Sequence, residues 1–301
     1  MEKCFNKDKV NEFIVLPPVS SEIEYEKAIM KIIKDYNVVA IFPGSEPELK
    51  YFVANREKYD DLFISINSKE IINLCLNKFE TYKRFEELGF NVPRYKKINS
   101  VADCKEINFF PAVLKPNTNA GGSSHIYVAF NSEEASMFSK YMLGYGIDVI
   151  AQQYVGDCNG EYTIGVSSNS DGIVQGSVIL KRNLNSGISV NKKMTSENRS
   201  VIISSGISQG EFVHDESLKK QAEEIAHKLN SKGPINIQGR VVEGKFLIFE
   251  INPRLSGTTY LRALVGYNEP ENMIKSYILK QKVQYEYEDK TVLRSLQEKI
   301  I

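Results

Sequence analysis

Ile248-Phe249-Glu250-Ile251-Asn252-Pro253-Arg254 is the stretch that decides how this chain folds. Its apolar, β-branched character predicts a strand. Side chains in a strand alternate between faces, so Glu250, Asn252 and Arg254 share one side. Pro253 then ends the strand where no ladder donor is needed. A carboxylate and an amide offer the hard oxygens that suit Mg²⁺, which keeps waters and binds substrate phosphates, and a nearby guanidinium suits phosphoryl charge. A strand with one wet face carries the same pattern, so the rest of the chain has to decide between the two.

The partner strand, Ile235 to Val242, provides one test. A three-residue loop Val242-Glu243-Gly244, with glycine in the left-handed position, sets Gln238 opposite Ile248 and therefore on the face of Glu250 and Asn252. A two-residue turn directs it away. The three-residue loop is expected, which makes Gln238, Glu250 and Asn252 a candidate metal site with Arg254 just beyond it. Upstream, Lys115 ends an apolar strand and is followed by a loop containing Gly121, Gly122, Ser123 and Ser124. Glycines let backbone N–H groups approach anionic oxygens, serines add donors, and the lysine adds charge. A strand follows the loop, so it is neither a Walker loop nor a dinucleotide loop, and a plain hairpin is the alternative. The strand Val149 to Val155 offers Gln153, Tyr154 and Val155 to the edge of an adenine. Glu161 can accept both ribose hydroxyls or simply face solvent. Lys181 and Arg182, followed by Gly187, are candidates to grip an acceptor or a transferred group, with a solvated basic pair as the alternative. The polar stretch from Asn183 to Arg199 reads as a loop or a lid.

Composition fits this picture. The chain has 301 residues, long enough for two or three subdomains. Hydrophobic residues at 42% and charged ones at 25% are ordinary for a globular protein. Thirty-eight basic residues balance thirty-eight acidic ones, so no net field steers the chain to nucleic acid or an anionic membrane, and neither is expected as a partner. No apolar run is long enough to cross a bilayer and the start lacks a signal-peptide core, so a cytoplasmic location is expected. Cys4, Cys75, Cys104 and Cys158 are scattered, and His125, His214 and His227 are not spaced as ligands, which points to free thiols and no zinc site.

The first part alternates strand and helix. Phe13 to Leu16, Val38 to Phe42 and Leu62 to Ile66 are predicted strands, separated by helices that begin after Ser21 and Ser45. This is a βαβαβ pattern implying a parallel sheet. Helices after Ser68 and Asn77 follow, the second closed by Gly89, and a boundary is expected near Pro93. From Pro111 the pattern changes to antiparallel strands over 112–115, 126–129, 149–155, 162–167 and 173–180, with a helix from Ser132. Asp215 caps a further helix before the final hairpin, and a last helix is expected over 272–279.

Taken in order, Lys78, Lys115, the Gly121-Gly122 loop, Glu161, Gln238, Glu250, Asn252 and Arg254 resemble the ATP-grasp superfamily, and in particular ATP-grasp proteins similar to the carbamoyl phosphate synthase large chain. The resemblance implies an α/β plus α+β architecture: residues 1–93 as a partial, Rossmann-like pre-ATP-grasp domain, and 94–301 as the ATP-grasp domain. The latter would comprise a small nucleotide-covering subdomain at about 108–155 and a larger one at about 156–301. It further implies ATP with Mg²⁺ or Mn²⁺ as cofactors. Lys78 and Lys115 would lie at the phosphates or the adenine side, Gln153 to Val155 at adenine and Glu161 at ribose. Gln238, Glu250 and Asn252 would hold the metal, and Arg254 would meet the γ-phosphate or an acyl phosphate. Position 153 is commonly glutamate in the family. The implied activity is a carboxylate–amine ligase working through an acyl phosphate, with small acids and amines as substrates. Phosphorylation of bicarbonate or carbamate, and a non-catalytic ATP-binding regulator, are the other readings. Relatives usually open with a further βαβ unit, so either the protein is short or a partner chain supplies those strands, and the exposed sheet edge makes a homodimer a further expectation.

Overall fold

The computed structural model describes residues 6–118, 125–156, 160–184, 187–196 and 199–298. Two compact units emerge, residues 1–65 with 294–301, and residues 66–293. The first contains helix α1 (Glu22–Tyr36), strand β1 (Ala40–Ile41), helix α2 (Glu46–Ala54) and strand β2 (Phe63–Ile64). β1 and β2 pair in parallel. The Ser45 side chain accepts from the Glu48 amide while the Glu48 carboxylate reaches back to the Ser45 amide, so the expected start of α2 is a full capping box. Tyr25, Leu49, Tyr51, Phe52 and Tyr59 form its buried centre. The strand expected over 13–16 does not form. Phe13, Ile14 and Val15 stand exposed, and a strand needs a neighbour to take its ladder bonds.

In the second unit, helices α3 (Lys69–Cys75) and α4 (Lys78–Glu87) start at Ser68 and Asn77, whose side chains cap them, and α4 ends before Gly89 with φ +82°. The units divide between Ser65 and Ile66, so both helices go with the second unit rather than with a domain ending near residue 93. The physical reason is that Ile71, Cys75 and Phe85 belong to the large core of that unit.

A four-stranded antiparallel sheet has the order β3-β6-β4-β5: β3 (Tyr95–Ile98), β4 (Ala112–Pro116), β5 (Tyr127–Ala129) and β6 (Val149–Gln153). Helix α5 (Ser132–Gly144) covers it over a core that includes Ile98, Leu114, Met142 and Val149.

A six-stranded sheet has the order β13-β12-β7-β8-β11-β14. It consists of β7 (Glu161–Ser168), β8 (Val174–Arg182), β11 (Gly210–Phe212), β12 (Pro234–Val242), β13 (Lys245–Asn252) and β14 (Thr291–Val292). Between β8 and β11 the chain forms an antiparallel hairpin, β9 (Val190–Ser196) with β10 (Arg199–Ser204), where the sequence suggested a loop. Helix α6 (Glu216–Lys228), capped by Asp215, packs Leu218, Ala222 and Ile225 against the sheet face carrying Ile164, Val166, Ile179, Ile235 and Ile237. The opposite face meets helices α7 (Thr259–Leu264) and α8 (Glu269–Met273), with a π-turn over 274–278 in place of the single expected helix.

Arg262 of α7 is 1% exposed and lies on this second face, where it donates to Glu269 at 2.8 Å and to the Asn236 side-chain oxygen at 2.5 Å. Space for it exists because residue 165 is glycine: a Cβ there would stand 2.1 Å from a guanidinium nitrogen that its partners hold in place. Gly165→Ala is expected to destabilise the protein by about 1–3 kcal/mol, as overpacking does, measured by chemical denaturation.

Candidate functional site

The face of the large sheet opposite α6 is polar where β7, β12 and β13 adjoin. Antiparallel pairing sets Glu161 opposite Arg240, Thr163 opposite Gln238 and Gly165 opposite Asn236. Across the next ladder Gln238 lies opposite Glu250 and Asn236 opposite Asn252. Gln238, Glu250 and Asn252 therefore converge, half-buried, and the Asn252 amide donates to Glu250 at 3.4 Å.

They converge by a different route from the one expected. The hairpin turn is the two-residue Glu243-Gly244, with φ +49° and +76°, between the paired Val242 and Lys245. Such a turn alone would face Gln238 away from Glu250. The ladder, however, steps from Gly239–Ile248 to Gln238–Glu250, leaving Phe249 unmatched. This bulge adds one residue to β13 and reverses its phase, returning Glu250 and Asn252 to the face of Gln238.

The two lysines are drawn together by Asn117, which is fully buried. Its backbone oxygen accepts from the Lys78 amide at 3.1 Å and its side-chain oxygen from the Phe79 amide at 2.8 Å, fixing the start of α4 beside the end of β4. The Lys115 ammonium is 2.6 Å from the Gln152 side-chain oxygen, 3.0 Å from the Tyr82 hydroxyl and 3.2 Å from the Phe249 carbonyl. Burial lowers its pKa from 10.5 to about 7; the charge of Lys78 lowers it further and that of Glu250 opposes the fall. Lys115 thus lies within electrostatic reach of both Lys78 and Glu250. Arg254 follows, half-buried, donating to the Leu255 carbonyl at 2.8 Å.

Glu161 is not placed as a ribose acceptor would be. It is 1% exposed, and both of its oxygens are engaged: Arg182 reaches one at 2.8 Å, while Arg240 reaches the other through Nε at 3.0 Å and a terminal nitrogen at 2.8 Å. Arg240 also donates to the carbonyls of Val155 and Ile202 at 3.0 and 2.9 Å, and its guanidinium lies 4.9 Å from the Tyr154 ring centre. Arg182 also donates to the carbonyls of Ser205 and Ile207 at 2.8 and 3.2 Å. Lys181 and Arg182 do not act as a pair, because neighbours in a strand point to opposite faces. Arg182 lies with Glu161, whereas Lys181 shares the register of Ile179 and Ser177 on the α6 side.

The segment expected at adenine is pinned at several atoms. The Gln153 amide donates to the Arg94 carbonyl at 2.7 Å and its side-chain oxygen accepts from Arg94 Nε at 3.2 Å. Tyr154 donates its amide to Pro111 at 2.9 Å, and its hydroxyl accepts from the Ile202 amide at 3.0 Å. Gly121, Gly122, Ser123 and Ser124 lie outside the described residues. Tyr82, Gln152 and Arg240 were not anticipated. Of these only Tyr82 left a sequence signal, standing one helical turn after Lys78 and so on the same face of α4.

This two-sheet architecture is the ATP-grasp fold. Residues 189–299 match a family model described as ATP-grasp in the biosynthetic pathway with Ter operon. The carbamoyl phosphate synthase large chain of Thermoanaerobacter pseudethanolicus is 26% identical over 195 residues, covering 64% of this chain and 17% of that protein. An uncharacterised protein of Methanocaldococcus jannaschii is 32% identical over 91 residues, or 30% of this chain and 22% of its own. The chain therefore spans about a fifth of the length of these relatives. Among solved structures, biotin carboxylase from Campylobacter jejuni superposes with a TM-score of 0.65 at 19% identity, over 90% of this chain and 61% of that one. The L-amino acid ligase of Bacillus licheniformis does so with 0.62 at 14%, over 89% and 63%. No helix among the described residues is long and apolar enough to cross a membrane.

Removing one member of a buried charge cluster leaves the others uncompensated, typically at a cost of about 3–5 kcal/mol. Glu161→Gln is expected to destabilise the fold by that amount in a denaturant titration; an unchanged midpoint would return Glu161 to a ligand-facing role.

Proposed function

We propose that the chain is an ATP- and Mg²⁺-dependent ligase that activates a small carboxylic acid as an acyl phosphate for attack by an amine or another nucleophile. The observation that carries this reading is the alignment of Gln238, Glu250 and Asn252 on one sheet face, with the Lys115 side chain on the Phe249 carbonyl next to Glu250. The donor set fits the metal. One carboxylate and two amide oxygens are hard ligands of low total charge, and among the described residues no group of three or more His, Cys, Asp or Glu gathers into a harder cage. Such a set suits a cation that completes its shell with water and phosphate oxygens. When bound, Mg²⁺ would neutralise charge on the phosphates being separated.

The chain's own groups supply the rest. Gln238, Glu250 and Asn252 hold the metal and so orient the terminal phosphoryl group, and Lys78 and Arg254 place positive charge around it. Lys115 contributes charge from a buried position and not a free donor, since its ammonium is already directed at three protein oxygens. No side-chain nucleophile is needed, because positioning and electrostatics account for most of phosphoryl-transfer catalysis. Among the described residues the sheet of the first unit has two strands, and pairing at its edge would suit a second copy or a partner chain.

A screen of amino acids, small carboxylates, amines and bicarbonate for Mg²⁺-dependent release of ADP and phosphate tests the reading. Glu250→Gln is expected to abolish acceptor-stimulated turnover, by about a hundredfold or more, with the thermal melt unchanged; full activity in that variant would remove Glu250 from the metal site. Lys115 gives a second test. With its pKa at about 7 the side chain is mostly neutral at pH 8, and a polyanion placed beside it raises that pKa. Nucleotide binding at pH 8 is therefore expected to take up a proton. Calorimetry in two buffers of different ionisation enthalpy measures this, and the uptake should fade at pH 6 and vanish in Lys115→Met.

A further inference from the structure

The bulge that orients the metal set leaves the carbonyl of Phe249 outside the ladder, and three elements of the second unit close on that atom. The Tyr82 hydroxyl of α4 stands 2.5 Å from it and the Lys115 ammonium of β4 3.2 Å from it. The Gln152 side-chain oxygen of β6 accepts from the ammonium at 2.6 Å and lies 2.7 Å from the hydroxyl, whose single proton it shares with the Phe249 carbonyl. Tyr82 is 1% exposed, and burial, with the charge of Glu250, holds its pKa well above 10, so the group present is a neutral hydroxyl. An ammonium has three donors, and the three oxygens around Lys115 account for them.

We propose that Tyr82 is a positioning residue for the metal site, acting through the Phe249 carbonyl to hold the bulge in β13 and so keep Glu250 opposite Gln238. The proposal rests on the ligase reading above, because it presupposes a metal at Gln238, Glu250 and Asn252. Its physical basis is the phase of the strand. The two-residue turn at Glu243-Gly244 and a regular ladder would pair Gln238 with Phe249 and send Glu250 toward the apolar face shared with Ile237 and Ile251. The Phe249 carbonyl marks the step between the two registers, and a part-buried carbonyl turned toward side-chain donors keeps that conformation while it has them to meet. Tyr82 brings one and orients another, Lys115. The hydroxyl acts on the site through the Phe249 carbonyl beside Glu250, so cation binding is the readout.

The experiment is Mn²⁺ titration of the full chain at saturating ADP, read by electron paramagnetic resonance, for the wild type and Tyr82→Phe, alongside ADP binding without metal and a thermal melt. The phenylalanine keeps the ring and removes only the hydroxyl. Supporting groups behind metal ligands typically change affinity by about 10–100-fold. The expected result is Mn²⁺ affinity weakened by about tenfold or more, with metal-free ADP affinity within about twofold of the wild type. Equal Mn²⁺ affinities overturn the proposal, as does a parallel loss of metal-free ADP binding, which would mark a nucleotide contact or a general loosening. A wild type that binds ADP but no Mn²⁺ overturns the metal site itself. If Tyr82→Phe does not fold, Gln152→Met removes the oxygen that both donors share and is expected to give the same selective loss; unchanged Mn²⁺ binding in it overturns the proposal equally.

Discussion

Glu161 and the two guanidiniums that share it are the interaction on which the rest of this fold depends. A lone carboxylate at that depth would shed its charge, and two lone arginines could not be accommodated; together they are tolerable because each charge faces its opposite at about 3 Å. Further donors of the two guanidiniums reach backbone carbonyls at 155, 202, 205 and 207. One ion cluster thus fastens β7, β8 and β12 of the large sheet to the segment leaving β6 and to the β9–β10 hairpin. The row of Thr163, Gln238 and Glu250, which includes two of the candidate metal residues, is the next row along the same face, so its placement follows from this joint.

Such a cluster also colours the site electrostatically. Two guanidiniums and one carboxylate leave an excess of one positive charge, and Glu250 is close enough to be felt by Arg182. With Lys115 also within reach, the lone carboxylate of the candidate metal set has basic groups from two elements near it. That imbalance suits a ligand bringing several negative charges of its own, as a nucleotide polyphosphate does.

Much of this was legible in the sequence where the signal is local. The caps at Ser45, Asn77 and Asp215 are made by short side chains on amides two or three residues away, so they can be read from neighbours alone. Alternation likewise gave Glu250 and Asn252 a common face. What failed was non-local. The partners of Glu161 lie 21 and 79 residues off and leave no mark in spacing. The β9–β10 hairpin was taken for a loop because Asn191, Lys192 and Lys193 give its first strand little apolar alternation. Its place is held instead by contacts elsewhere, such as Lys192 on the Ile126 carbonyl. Lys181 and Arg182 were read as a pair, although adjacency in a strand is what separates them.

The hairpin shows how two departures from expectation can cancel. The turn is one residue shorter than the pattern suggested, the strand after it one residue longer, and the chemistry arrives on the intended face. A further residue inserted or lost while the bulge stays would exchange a hydrophilic face for a greasy one, whereas loss of the bulge residue Phe249 itself would leave Glu250 opposite Gln238 in a regular ladder. With the number of residues between Gln238 and Glu250 held constant, turn length and bulge can therefore change only as a linked pair.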